Sequence, residues 1–190
     1  QNKKAIKLCI DPSWMPFEKI NKNGQLEGIT KYILKEFAEK INTPIQLIKT
    51  NSWSQSLQEF KNKECDLLSM VVKTRDREKL MNFTESYINT PLVLSTKNST
   101  PFIINIRDLK DKKVGIVKNY SYADILKNKY KNLDFIEIDN IDEGLEKVEK
   151  NELFGVIDAL PVIAYKIQKN YPAELKIGSK FDEKLYIHMA

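Results

Sequence analysis

The chain has 190 residues, with 31 Lys and Arg against 26 Asp and Glu and a formal net charge of +5. This length suffices for one domain or two small lobes with a buried core, and no apolar run reaches the roughly 18 to 20 residues of a membrane span. The basic residues are mostly lysines interleaved with acids. A nucleic-acid surface would need clustered basic residues with aromatics among them, so the pattern argues against a nucleic-acid partner.

The first 70 residues alternate between strands and helices. The predicted strands are 5–10, 45–49 and 66–70, and the predicted helices are 29–41 and 53–61. In the first helix, apolar residues recur at steps of four and form one apolar face. The second helix begins at the capping box Ser52-Trp53-Ser54-Gln55. These βαβ units predict right-handed crossovers and a parallel sheet.

A proline-stiffened aromatic loop follows the first predicted strand, with the sequence Asp11-Pro12-Ser13-Trp14-Met15-Pro16-Phe17-Glu18. Ligands bind at the carboxyl ends of strands in open α/β sheets, and the prolines fix φ so that the rings are held in place. Two interpretations stay open: the loop is one wall of a ligand site, or it is a turn whose Trp and Phe fill the core.

Two of the three arginines, Arg75 and Arg77, follow the third predicted strand and so lie at the same sheet edge. The planar guanidinium fork matches a carboxylate in a way that lysine cannot. In a chain that otherwise uses lysine, Arg77 is therefore the candidate carboxylate ligand. The alternative is a surface salt bridge with Asp76 or Glu78.

The strand and helix plan returns after residue 112. Predicted strands cover 113–117, 135–138, 154–157 and 175–177, and helices begin near Tyr122, Ile141 and Leu160. The extended segments 87–96 and 184–190 suit a pair of hinge strands that would allow closure. We expect lobe 1 over residues 1–92, an inserted lobe 2 over 93–182 and a second hinge strand over 183–190.

Two positions of the second lobe are candidates for ligand contact. Ser121 precedes a predicted helix, where free backbone N–H groups attract anions, and it either binds an anion or caps the helix. Asp158 ends an apolar strand. It either accepts hydrogen bonds from an ammonium group or caps the helix that starts near Pro161.

Cys9 and Cys65 each lie in or beside an apolar strand, outside any CxxC or Cys/His pattern typical of zinc. The chain has a single histidine, His188, so we expect no metal, no cofactor and no Cys-His catalytic pair. We interpret both cysteines as buried thiols, with a disulfide between them as the open alternative.

In their order along the chain, these motifs resemble the polar amino-acid-binding branch of the type II periplasmic solute-binding proteins. The landmarks are the loop 11–17, the segment 66–77, the run Asn82-Phe83-Thr84-Glu85-Ser86-Tyr87, the entry into lobe two at 109–117, and Asp158. The form of the aromatic loop looks most like the flytrap sensor domains of bacterial histidine kinases and diguanylate cyclases. The resemblance implies an α/β, two-lobed Venus-flytrap fold, each lobe a mostly parallel sheet flanked by helices, with two hinge strands.

The resemblance also implies roles for single residues. Arg77 would clamp a ligand carboxylate, helped by Ser121 and by backbone N–H groups near Met70 and Val72, and Asp158 would take the ammonium. Asp11 would contact a polar tail of the ligand, and Ser69 would offer a hydroxyl at the end of a strand. Aromatic rings would form the walls of the side-chain pocket, namely Trp14, Phe17, Trp53 and Tyr120. Members of this family usually carry a small hydroxyl residue at the position of Val72 and often a second at Met70. Their replacement here suggests a ligand less polar than an ordinary basic amino acid, or a different carboxylate.

By this resemblance the chain is an extracytoplasmic ligand-binding sensor module, tethered to the inner membrane and fused to a signalling output domain. A receptor of an amino-acid ABC transporter is the alternative, and a purely structural domain is a third reading. An enzyme, such as a dehydratase or a transglycosylase-linked domain, is less expected, with Asp11, Glu18, Lys118 and Asp158 as its acid-base candidates. The family's C-terminal helices are expected to be missing after Ala190, and a homodimer stays open.

Overall fold

The computed structural model describes residues 4–190, and the chain divides into two compact units. Unit 1 runs up to Ile88 and takes in Tyr186–Ala190, whereas unit 2 is Asn89–Leu185. The predicted lobe boundaries, after residues 92 and 182, each fall inside a long strand that connects the units. Residues 1–3 of the predicted lobe 1 lie outside the described residues.

Unit 1 contains a parallel sheet and a small antiparallel sheet. Its elements are β1 (Ile6–Cys9), β2 (Ser13–Trp14), β3 (Glu18–Ile20), β4 (Leu26–Glu27), α1 (Ile29–Ile41), β5 (Ile45–Leu47), α2 (Trp53–Lys61), β6 (Leu67–Leu68), β7 (Val71–Val72) and α3 (Arg75–Glu78). Strands β5, β1 and β6 pair in that order and in parallel, as the βαβ pattern predicts. The antiparallel sheet β2-β3-β4, formed by the aromatic loop and the residues after it, was not predicted.

The face of α1 that carries Leu34 and Phe37 packs on this parallel sheet, whereas Ile29, at the start of the predicted apolar face, is exposed. Leu8, Ile10 and Leu34 form a buried cluster, and Phe37 and Ile45 pack against it. The helix has the predicted bounds and ends at Asn42, which adopts the left-handed conformation (φ 48°) that often terminates helices. Burial of this face fixes the helix over the sheet whose edge carries the candidate site.

Unit 2 is built on a longer sheet. Its elements are β8 (Ile88–Lys97), β9 (Lys112–Val117), α4 (Ala123–Lys129), β10 (Leu133–Ile138), α5 (Ile141–Glu149), β11 (Gly155–Ala159), α6 (Leu160–Asn170) and β12 (Leu175–His188). The strand order is β10-β9-β11-β8-β12, with β9 parallel to both β10 and β11 and with β8 antiparallel to β11. The last residues of β12 belong to unit 1, where they pair with β7.

Several predicted helix starts are confirmed. The Ser52 side chain accepts a hydrogen bond from the N–H of Gln55, and Asn140 does the same for Glu143. Pro161 lies in the first turn of α6. The capping interpretation of Ser121 is wrong, because the N-cap of α4 is Tyr122 and no side chain caps that helix.

Two sequence predictions need correction. The strands predicted at 175–177 and 184–190 form one strand, β12, of 14 residues. The interpretation of both cysteines as free thiols is also wrong, because Cys9 and Cys65 form a disulfide with a Cα–Cα distance of 5.7 Å. The pairing of β1 with β6 brings the two residues together, since Cys9 lies opposite Leu68.

Candidate functional site

The carboxyl ends of three parallel strands share one edge of the unit 1 sheet. The aromatic loop 11–17 follows β1, Trp53 opens the helix after β5, and the turn with Ser69 follows β6. This is the edge at which open α/β sheets bind their ligands. The fold therefore brings all the predicted site residues of unit 1 to one edge, namely Asp11, Trp14, Phe17, Trp53, Ser69, Met70, Val72 and Arg77.

The aromatic loop is held by its own hydrogen bonds. Asp11 Oδ1 accepts from the N–H of Ser13 at 3.0 Å, which closes a tight turn after β1. The rings of Trp14 and Phe17 lie against each other with centroids 4.8 Å apart. Trp14 is 6% exposed and Phe17 3% exposed, so both rings pack as parts of unit 1, and their contact with a ligand stays a prediction. The Met15–Pro16 peptide bond is cis.

The first turn of helix α1 is hydrogen-bonded to this loop. The N–H groups of Ile29 and Thr30 donate to the carbonyl oxygens of Pro16, at 3.0 Å, and Phe17, at 2.9 Å. The N-cap residue Gly28 has no side chain to satisfy these donors, so the loop carbonyls take that role. The position of the loop is thereby coupled to the position of the helix.

Arg77 lies in the short helix α3, with its guanidinium turned toward the sheet edge. Its Nη1–H donates to the carbonyl oxygen of Val72 at 2.9 Å, and its Cζ lies 5.7 Å from the ring centroid of Trp53. Burial lowers the pKa of Arg77 to about 10, so the guanidinium stays charged at neutral pH. Asp76 and Glu78 form their ion pairs with Lys79 and Lys73.

Ser69, Met70 and Val72 lie where β6 leads into β7. Met70 is 4% exposed, and Val72 pairs with Ile187 of β12. Ser69 is fully buried, and its hydroxyl donates to Glu18 Oε2. The predicted contact residue Ser69 therefore uses its hydroxyl within unit 1.

Glu18 is the residue of this edge whose role sequence reasoning missed. It is fully buried and accepts hydrogen bonds from the N–H of Asp11 (2.8 Å) and the hydroxyls of Thr30 (2.9 Å) and Ser69. Burial raises the pKa of Glu18 to about 8, against the lowering effect of its hydrogen bonds. The sequence signal for Glu18 was an acid directly after Pro-Phe at the start of a strand. Its partners Thr30 and Ser69 are too far away in sequence to be inferred from that signal.

In unit 2, the candidates lie at the carboxyl edge of β9 and β11. Asp158, in β11, is fully buried and accepts a hydrogen bond from the hydroxyl of Tyr122 at 2.7 Å. The ring of Tyr120 lies edge-on to that of Tyr122, with centroids 5.7 Å apart, and Ser121 is half-buried between them in sequence. Asp158 does not cap α6, whose N-cap is Ala159. Tyr122 was not among the predicted site residues.

Lys118 is bound to Asp139 at 2.9 Å on the surface of unit 2. Within residues 4–190, His, Cys, Asp and Glu side chains form no group of three that could hold a metal ion. Across the same residues, no helix combines the length and apolar character needed to cross a bilayer.

Comparison with known proteins identifies the family and the fold of the chain. A family model described as bacterial extracellular solute-binding proteins, family 3, matches residues 6–180. The sensor protein EvgS of Escherichia coli O157:H7 is 24% identical over 170 residues, which are 90% of this chain and 14% of EvgS. A probable histidine-binding protein of Neisseria gonorrhoeae is 27% identical over 178 residues, covering 90% of this chain and 64% of that protein.

The chain thus spans about one seventh of the length of EvgS and just under two thirds of the histidine-binding relative. Among solved structures, the periplasmic VFT2 domain of Bordetella pertussis BvgS superposes with a TM-score of 0.88 at 18% identity. The match covers 97% of this chain and 79% of that domain. The Venus-flytrap fold predicted from the sequence is confirmed.

Proposed function

Because the chain belongs to the bacterial extracellular solute-binding proteins of family 3, we propose that it binds a small amino acid or a related carboxylate. The family is extracytoplasmic, and the Cys9–Cys65 disulfide is typical of oxidising compartments. The histidine-binding relative supports an amino acid as the class of ligand. The single observation that carries the proposal is that Arg77 lies at the edge of the unit 1 sheet where the parallel strands have their carboxyl ends.

A guanidinium group at this place suits a carboxylate. It remains charged, its planar fork offers paired N–H donors, and its contacts with Trp53 and the Val72 carbonyl hold it in one orientation. A partly desolvated guanidinium binds an anion more strongly than one in bulk water, because the local dielectric is low. We therefore assign Arg77 the ligand carboxylate, with Trp14, Trp53 and Phe17 as the apolar surroundings.

For unit 2, we retain Asp158 as the proposed acceptor for a ligand ammonium, with Tyr120 and Ser121 as neighbouring contacts. The hydroxyl of Tyr122 holds one carboxylate oxygen of Asp158. A fixed, buried carboxylate suits a compact cation such as an α-ammonium. Asp158→Asn is expected to weaken amino-acid binding at least tenfold, since it removes the charge and keeps the shape.

The test is a thermal-shift screen of the twenty L-amino acids, followed by calorimetry on those that raise the melting temperature. Arg77→Ala is expected to weaken binding about 100-fold, and Arg77→Lys about tenfold, since lysine keeps the charge but lacks the fork. The matched control is Arg75→Ala, on the exposed side of the same helix, which should leave the affinity unchanged. Binding that survives Arg77→Ala contradicts the carboxylate assignment.

We propose further that the module regulates an attached signalling output and is tethered to the inner membrane. The EvgS match, which covers 90% of the chain, supports this, and the histidine-binding relative supports a transport receptor instead. Sequencing the gene on both sides of this segment distinguishes the sensor from the transport receptor. A membrane span followed by a kinase or cyclase domain supports the sensor. Sedimentation of the protein with and without amino acid tests the homodimer.

We also propose that the chain binds its solute without converting it. The relatives carry binding and sensor names, which supports this reading. Turnover of a prephenate-like acid by the purified protein would contradict it.

A further inference from the structure

One fully buried side chain connects the segments that carry the candidate binding residues of unit 1. Glu18, the first residue of β3, accepts hydrogen bonds from Asp11, Thr30 and Ser69. These three donors lie in three separate segments: the loop after β1, helix α1 and the turn after β6. Because all the bonds meet at one carboxyl group, a change in that group acts on all three segments together.

The neighbours of Glu18 decide how it responds to pH. The loop after β1 contributes the carboxyl group of Asp11, whose charge raises the pKa of Glu18. The segment before β8 contributes the phenol of Tyr87, which donates to the carbonyl oxygen of Ser69. Helix α1 and the turn after β6 contribute the neutral hydroxyls of Thr30 and Ser69. Both titratable neighbours are acids, so ionisation of Glu18 adds charge beside Asp11 and neutralises none.

The protonation of Glu18 is linked to the stability of unit 1. Burial is the largest cause that raises its pKa to about 8 from the ordinary 4.5. Between these two values the folded protein keeps a proton that the unfolded chain releases. The stabilisation linked to this proton is complete below pH 4.5 and is lost as the pH rises through about 8.

We infer that Glu18 is a positioning residue whose carboxyl group joins the aromatic loop, helix α1 and the Ser69 turn, and that a charge on this fully buried group, beside the carboxyl group of Asp11, loosens this edge and weakens amino-acid binding. Glu18 acts through Asp11 and Ser69 and needs no contact with the amino acid. The binding part of this inference rests on the proposed function, whereas the conformational part stands on the hydrogen bonds of unit 1 alone.

The first test needs no amino acid. Both tryptophans of the chain, Trp14 and Trp53, lie at this edge, so their fluorescence reports on it directly. We expect the emission of the wild-type protein to change between pH 6 and 9.5 with a midpoint near 8. Glu18→Gln should lack the transition near pH 8, because the amide is neutral, has the same size and still accepts from the N–H of Asp11.

A second variant keeps the inference testable if Glu18→Gln does not fold. The hydroxyl of Thr30 lowers the pKa of Glu18, so Thr30→Val, of nearly the same shape, should move the fluorescence midpoint to higher pH. A Glu18→Gln profile that matches the wild type, or a Thr30→Val midpoint that does not move, overturns the inference.

The binding part is tested by calorimetry with L-histidine at pH 6.5 and pH 9. With a midpoint near 8, about nine tenths of the Glu18 carboxyl is ionised at pH 9, so the apparent Kd should rise about tenfold relative to Glu18→Gln. Comparing the two proteins at each pH cancels the titration of histidine itself. A constant ratio of the two Kd values overturns the binding part. If no amino acid of the screen binds, the proposed function fails and the fluorescence titration still decides the role of Glu18.

Discussion

Ser95 carries a hydroxyl group that is fully buried in β8 and has no hydrogen-bond partner among residues 4–190. A buried hydroxyl without a partner costs about 1 to 3 kcal/mol of stability. We therefore predict that Ser95→Ala raises the free energy of unfolding by about 1 kcal/mol, since part of the gain is offset by the small space left behind. Denaturant titration followed by circular dichroism measures the change.

The matched control is Ser179→Ala in β12 of the same unit. The hydroxyl of Ser179 is equally buried but donates to the carbonyl oxygen of Ile103 at 2.7 Å. Its removal should lower the free energy of unfolding by about 1 kcal/mol. The two serine-to-alanine substitutions should thus change the free energy of unfolding in opposite directions. A lower free energy of unfolding in Ser95→Ala contradicts the prediction.

At the residue scale, sequence reasoning singled out side chains with a distinctive chemistry and passed over the roles that depend on hydrogen-bond partners. Arg77 stood out in a lysine-rich chain, and Trp53 stood out at a helix start. Glu18 was named only as an acid-base candidate, and Tyr122 was not named as a site residue, because their hydrogen-bond partners Ser69 and Asp158 lie 51 and 36 positions away. Only the folded chain brings such pairs together.

At the element scale, Gly28 determines how α1 meets the aromatic loop. Its φ of 102° is a conformation that only glycine adopts without strain, and a Cβ here would lie 2.4 Å from the carbonyl oxygen of Phe17. That oxygen accepts the N–H of Thr30, so it cannot move without a loss at the helix start. Gly28→Ala should lower the free energy of unfolding by about 3 kcal/mol.

Gly24→Ala separates the effect of a positive φ from the effect of the contact with the Phe17 carbonyl oxygen. Gly24 also has a positive φ, 74°, but an added Cβ would meet only the flexible side chain of Lys49. Gly24→Ala should lower the free energy of unfolding by about 1 kcal/mol, because only the unfavourable φ contributes. Chemical denaturation of both variants measures the difference, and equal losses would show that the contact with the loop carbonyl contributes nothing.

The long strand β12 shows why element boundaries were harder to predict than element types. Two separate extended segments were predicted here, 175–177 and 184–190, with the mostly polar residues 178–183 left between them. In the structure, Phe181, Leu185 and Ile187 are buried at alternating positions with exposed residues between them, so the strand continues. The period-2 pattern was present in the sequence, but pairing with neighbouring strands was needed to sustain it.

At the scale of the whole molecule, the alternation of strands and helices was sufficient to predict parallel α/β lobes, whereas the Venus-flytrap fold was implied by the family resemblance. The starts of α2, α5 and α6 carry a capping side chain or an N-terminal proline, so local preferences at these points agree with the final topology. The Cys9–Cys65 disulfide was only the open alternative to free thiols, because two cysteines 56 residues apart give no sign of proximity until β1 and β6 are known to pair. The small sheet β2-β3-β4 was missed for a similar reason, since its strands are only two or three residues long.

The disulfide closes a loop that contains most of unit 1, including α1, α2 and the aromatic loop. Closing a loop of this length restricts the unfolded chain and is worth about 4 kcal/mol in the chain-entropy account. The double variant Cys9→Ala/Cys65→Ala should therefore unfold at a clearly lower denaturant concentration when followed by tryptophan fluorescence, which reports on unit 1. Reducing the wild-type protein should produce the same loss, whereas the reductant should leave the double variant unchanged. A wild-type midpoint that does not respond to reduction would mean that the packing of β1 against β6 and α1, and not the covalent link, holds this edge of the sheet together.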